Sequence, residues 1–180
     1  MANYKHIFAG PVGAGKTTAI ETLSDIATVS TDKQATDMTA ARKPQTTVAM
    51  DYGVMKISDT ESIHLYGTPG QERFDFMWEI LVENGIGLVL LLDNSRATAI
   101  QDMHFFLGAF RDFIAENKVV IGITHTDTHQ SPSVSEYHAQ LKSSGLNPPV
   151  FEVDARSRED MTTLVKALLY SIDPKLEDHV

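Results

Sequence analysis

From Gly10 to Thr17 the chain reads Gly-Pro-Val-Gly-Ala-Gly-Lys-Thr, the spacing G-x-x-x-x-G-K-[ST] of a phosphate-binding loop. Small residues let the backbone curl until successive N–H groups converge on an anion. A helix starting at the end of the loop adds its unpaired N-terminal donors and the positive end of its dipole. Gly13, Ala14, Gly15, Lys16, Thr17 and Thr18 are therefore the candidate phosphate ligands. Lys16 is placed to bridge the outer two phosphates of a nucleotide, a catalytic position, and the Thr17 hydroxyl to ligate Mg²⁺.

The elements around this loop follow from periodicity. Residues 4–9 read as a strand, and Ile20, Leu23 and Ile26 or Ala27 recur at helical spacing after the loop. Residues 28–45 are polar, without apolar period, and predict a long loop of the functional kind. Val48, Met50, Tyr52 and Val54 alternate with Ala49, Asp51 and Gly53, and Ile63 and Leu65 alternate with Ser62 and His64. With a turn at 58–61, these predict an antiparallel hairpin. A helix carrying Met77, Trp78, Ile80 and Leu81 follows. The apolar run 85–93 predicts a strand buried on both faces. A helical face over 97–117, a strand over 118–123, a helix over 133–143, a strand over 150–153 and a last helix lined by Met161, Leu164, Val165, Leu168 and Ile172 complete the chain. The order βαββαβαβαβα predicts a mostly parallel, six-stranded sheet with one antiparallel strand and helices on both faces, in one domain over 1–180. Ligands of such sheets sit at the carboxyl ends of the strands.

Composition narrows the function classes. The 180 residues carry a formal net charge of −9 with both signs interspersed, which argues against nucleic-acid binding or a basic membrane patch. There is no cysteine, which excludes disulfides, thiolate metal sites, cysteine nucleophiles, and prenyl or palmitoyl anchors within this sequence. The histidines form no zinc pattern. No apolar run is long enough to span a bilayer, and no leader pattern is present, so the expectation is a cytoplasmic protein without its own membrane anchor.

The glycine loop, Thr46-Thr47-Val48-Ala49-Met50-Asp51-Tyr52 and Gly67-Thr68-Pro69-Gly70-Gln71-Glu72-Arg73-Phe74 together resemble the Ras-like small GTPases. Within them the chain is similar to the bacterial branch of polarity, gliding-motility and Roadblock-associated GTPases. The resemblance implies a three-layer P-loop NTPase fold (the small G domain), with switch loops at about 28–47 and 67–78. In the first switch Thr47, with Thr46 as its neighbour, would reach Mg²⁺ and the γ-phosphate. In the second, Gly70 would donate its N–H to the γ-phosphate and Gln71 would orient the attacking water. Gly67 stands where most relatives carry an aspartate that supports the metal. Its absence either weakens metal binding or passes the role to another carboxylate. Asp93 either resembles such an aspartate or simply caps the loop after its strand.

Base recognition by this resemblance falls to Thr124, His125 and Asp127, in the pattern Thr-His-Thr-Asp, and to Ala155 and Arg156 after the last strand. A carboxylate accepting from the guanine N1–H and exocyclic amine has no match on adenine, which suits Asp127. His125 stands where a lysine usually lies along the base. Arg42 or Arg73 would serve as an arginine finger, with Arg42 preferred, or else face solvent or a partner. Phe74, Phe76 and Trp78 either present an apolar partner surface or pack on the sheet. The implied function is a GTP-binding switch that hydrolyses GTP to GDP slowly. It would work with a Roadblock-type regulator and an unknown effector, and be recruited by partners to membrane or cell pole. The rival readings are a nucleotide-binding interaction module without turnover, and a P-loop ATPase or small-molecule kinase.

Overall fold

A computed structural model describes residues 2–30, 50–69 and 75–174. In chain order the elements are β1 (Ala2–Ala9), α1 (Lys16–Leu23), β2 (Val29–Ser30), β3 (Asp51–Lys56), β4 (Glu61–Gly67) and α2 (Asp75–Val82). They continue with β5 (Gly87–Asp93), α3 (Ala99–Ala109), α4 (Arg111–Glu116), β6 (Lys118–Thr124), α5 (Val134–Ser143), β7 (Val150–Glu152) and α6 (Arg158–Ile172). The described strands form one sheet in the order β2-β3-β4-β1-β5-β6-β7.

Pairing is parallel except around β3, which runs against both β2 and β4. The hairpin turn closes with Ile57 and Ser58 both donating N–H to the Glu61 carbonyl, at 3.0 and 3.2 Å. Against the expected six strands, the described residues form seven. Val29–Ser30, inside the stretch read as loop, pairs with Asp51 and Tyr52 at the sheet edge. Two residues are too few to show an alternating pattern.

Successive residues of the central strands face opposite layers. Val89 and Leu91 of β5 meet Phe8, Ile20, Leu164 and Leu168 under α1 and α6. Leu88, Leu90 and Leu92 meet Met103, Phe106, Tyr137 and Leu141 under α3 and α5. All seven residues of β5 are buried, as its unbroken apolar run requires. The helix expected over 97–117 divides at Phe110 (φ −97°, ψ 16°). Hydrogen bonds to the Phe106 carbonyl and from the Ile114 N–H continue through this point. The Phe110 ring stacks on Trp78 at 5.3 Å between centroids. Trp78 is therefore core, with Nε1–H donating to the Pro69 carbonyl at 3.1 Å, and not a partner surface.

In a parallel sheet the carboxyl ends of β1, β4, β5, β6 and β7 share one edge. Because β3 is antiparallel, its first residue, Asp51, lies at that same edge opposite Gly67.

Candidate functional site

The phosphate loop leaves β1 through Gly10, whose φ is 142°. A Cβ there would stand 2.0 Å from the Leu91 carbonyl oxygen, so no other residue fits. Gly15 caps α1 in the left-handed region (φ 96°) and supplies no side-chain cap, and the first turn of α1 holds no acidic residue. The first-turn N–H groups are left facing the loop as anion donors.

Lys16 is buried and folds back into the loop, its Nζ donating to the Gly10 carbonyl at 2.7 Å and the Pro11 carbonyl at 2.9 Å. Burial lowers its pKa to about 8, against a smaller upward pull from the Asp51 carboxylate. Thr17 donates its hydroxyl proton to Asp51 Oδ2 at 2.5 Å. These two oxygens are of the hard kind that a small divalent cation such as Mg²⁺ takes, with phosphate oxygens and water completing its shell.

Next to the loop lies a cavity of about 460 Å³. Gly13, Ala14, Gly15 and Thr18 form its phosphate-side wall, and Thr124, His125, Thr126, Asp127, Ala155 and Arg156 form much of the opposite one. Hydrogen bonds tie the two walls together. The buried Thr124 hydroxyl lies 3.0 Å from the Ala14 carbonyl and 3.1 Å from the Leu92 carbonyl. His125 Nε2 lies 3.3 Å from the Gly13 carbonyl.

The loop after β7 is fixed from inside. Asp160 Oδ2, in the first turn of α6, accepts from the Asp154 N–H at 2.8 Å. Asp154 grips the Arg156 guanidinium at 2.7 and 2.9 Å. Hydrogen bonds from Arg156 draw the Asp154 pKa down to about 2. That clamp holds the Arg156 side chain at the cavity rim. Thr22 Oγ1 donates to the Ala155 carbonyl at 2.8 Å, anchoring the loop to α1.

Eleven of the residues singled out from sequence thus stand around one loop and cavity: Gly13, Ala14, Gly15, Lys16, Thr17, Thr18, Thr124, His125, Asp127, Ala155 and Arg156. Arg42, Thr47, Gly70 and Gln71, with Thr46, Arg73 and Phe74, lie outside the described residues. Asp93 accepts from the Ser95 N–H at 2.9 Å and the Ser95 hydroxyl at 2.5 Å. It caps its own turn, and the carboxylate bonded to Thr17 is Asp51.

Two positioning residues escape sequence reasoning. Asp51 is one. The other is Asn94, buried directly after β5. Its amide donates to the His129 and Pro132 carbonyls at 2.6 and 3.1 Å, and its oxygen accepts from the Tyr137 hydroxyl at 2.8 Å. A polar residue directly after a buried strand is the one local signal it offered.

Among the described residues no helix is long and apolar enough to cross a membrane. The fold resembles a solved structure of the bacterial selenocysteine-specific elongation factor EF-Sec, with a TM-score of 0.68 at 21% identity. That likeness covers 96% of this chain and 30% of the other. At that identity the likeness bears on the fold alone. An uncharacterized protein of Methanocaldococcus jannaschii is 33% identical over 98 residues, 54% of this chain and 56% of that one. The chain thus spans little more than half the length of this curated relative. A family model matches residues 27–173, beginning after the phosphate loop. Fold and family agree on a P-loop nucleotide-binding domain. The chain belongs to the family described as "Conserved hypothetical ATP binding protein".

Proposed function

We propose that the chain is a GTP-dependent molecular switch that hydrolyses GTP to GDP slowly and belongs with the bacterial Ras-like GTPases. One observation carries this reading. The phosphate loop and the loops after β6 and β7 line one cavity, with Asp127 on the wall away from the phosphates. A carboxylate there is matched by the paired donors of guanine and by nothing on adenine.

Lys16 and the N–H groups of the loop hold the phosphates and take up the charge that develops on them. Thr124 and His125 hold the base-side loop against the phosphate loop, so base and phosphates are gripped by one rigid unit. Thr17 offers an oxygen donor for Mg²⁺, which when bound would neutralise phosphate charge. By resemblance, Thr47 joins that metal site, Gly70 meets the γ-phosphate, Gln71 orients water, and Arg42 is the arginine finger. The switch loops relax when the γ-phosphate leaves, and a Roadblock-type regulator or another effector reads the change. The protein works in the cytoplasm, brought to membrane or pole by such partners.

The test is the nucleotide that co-purifies with the protein, followed by single-turnover hydrolysis of GTP. Bound GDP and slow phosphate release support the switch. Tight GTP binding without phosphate release supports the interaction module instead. The family description favours a second reading, an ATP-binding domain. Co-purified ADP or ATP decides for it.

A further inference from the structure

We propose that Asp51 is the carboxylate of the magnesium site, reaching across the β3–β4 hairpin to orient the Thr17 hydroxyl. The inference rests on the nucleotide reading above and names a residue which that reading alone does not supply.

The geometry is specific. Thr17 stands in the first turn of α1, beside the lysine of the phosphate loop, and its proton goes to Asp51 Oδ2. A hydroxyl has one proton and two lone pairs. With the proton committed to a carboxylate, the lone pairs face away from Asp51 and the oxygen gains negative charge. That is the state in which a hydroxyl ligates a hard cation. Carboxylates that orient a ligand in this way typically govern affinity by about 10- to 100-fold. Mg²⁺ retains several waters and needs few protein ligands when phosphates share the site.

Gly67 explains why the carboxylate comes from β3. Asp51 and Gly67 are direct partners across the hairpin. A Cβ at Gly67 would stand 3.1 Å from Asp51 Cβ and 3.3 Å from its Oδ2, with Ile20 Cδ1 at 3.0 Å. A side chain at Gly67 would press on Asp51 and Ile20, and in this space the side chain is that of Asp51. Exchanging the two side chains should keep the carboxylate at the site while moving it from one strand to its neighbour.

The experiment loads the full chain with a fluorescent GDP analogue and follows its release as free Mg²⁺ is varied. A second readout is Mn²⁺ binding to the GDP complex by electron paramagnetic resonance. Asp51→Asn should raise the Mg²⁺ midpoint about tenfold or more and weaken Mn²⁺ binding equally. GDP affinity in EDTA should stay at the wild-type value, which also reports that the variant is folded. The double variant Asp51→Gly/Gly67→Asp should bring the midpoint back toward wild type. A merely structural hydrogen bond would alter stability with and without Mg²⁺ alike and leave the midpoint in place. If wild-type protein holds GDP and Asp51→Asn keeps the same midpoint, the inference falls alone. If wild-type protein holds no GDP even with Mg²⁺, the nucleotide reading falls and takes the inference with it.

Discussion

The imidazole of His125 reaches back to the phosphate loop, with Nε2 3.3 Å from the Gly13 carbonyl oxygen. A carbonyl only accepts, so Nε2 carries the proton in this contact. His125 does this from a left-handed backbone (φ 61°) at the carboxyl end of β6, and Asp93 Oδ1 stands 3.8 Å from the same nitrogen. The residue that looked least suited to its place in the sequence thus joins the two walls of the cavity.

His125→Ala should weaken GDP binding about fivefold, the worth of roughly 1 kcal/mol for one such hydrogen bond. His125→Lys, whose ammonium can meet the same carbonyl, should bind within twofold of wild type. Titration calorimetry of both variants checks this. Full affinity in His125→Ala would reduce the contact to a bystander.

His6 sits fully buried in β1 with both ring nitrogens unpaired. Burial pushes its pKa down from 6.5 to about 3. The folded chain therefore keeps His6 neutral where the unfolded chain protonates it. The sign follows: the pH-dependent penalty from this residue is absent above pH 6.5, and stability falls as pH drops from 6.5 toward 3. The slope from this residue is at most about 1.4 kcal/mol per pH unit. His6→Leu should flatten that part of the profile. Denaturant unfolding at pH 7.5, 6 and 5 is the measurement, and equal slopes in both proteins would contradict it.

Lys16, held at a pKa of about 8 by burial, is only about half charged at pH 8. Phosphates brought beside it favour the ammonium and raise that pKa. GDP binding at pH 8 should therefore take up about half a proton. Calorimetry in buffers of different ionisation enthalpy reads the uptake directly, and zero uptake would be the contrary result.

The legible parts of the site were those written in consecutive residues. Gly10 to Thr17 carries its chemistry in its own spacing, and Thr124 to Asp127 and Asp154 to Arg156 follow recognisable strands. Asp51 was hidden because its importance depends on strand register. It looked like the polar half of an alternating strand until β3 was set against β4, Asp51 opposite Gly67. Asn94 was hidden for a similar reason, since its partners His129, Pro132 and Tyr137 lie 35 to 43 residues away. Val29–Ser30 is too short for any periodic signal. Phe110 kept the helical period across its break, because the hydrogen bonds to Phe106 and from Ile114 persist.

Purine choice is the point at which this account and the ATP-binding description of its family part. With Mg²⁺ present, labelled GDP bound to the purified chain should be displaced by GTP at concentrations about 100-fold or more below those needed for ATP. A site built to hydrogen-bond specific base edges discriminates at least that strongly. Asp127→Ala should erase that preference while leaving phosphate-dependent binding in place. Equal displacement of GDP by ATP and GTP from the wild-type protein would contradict the account.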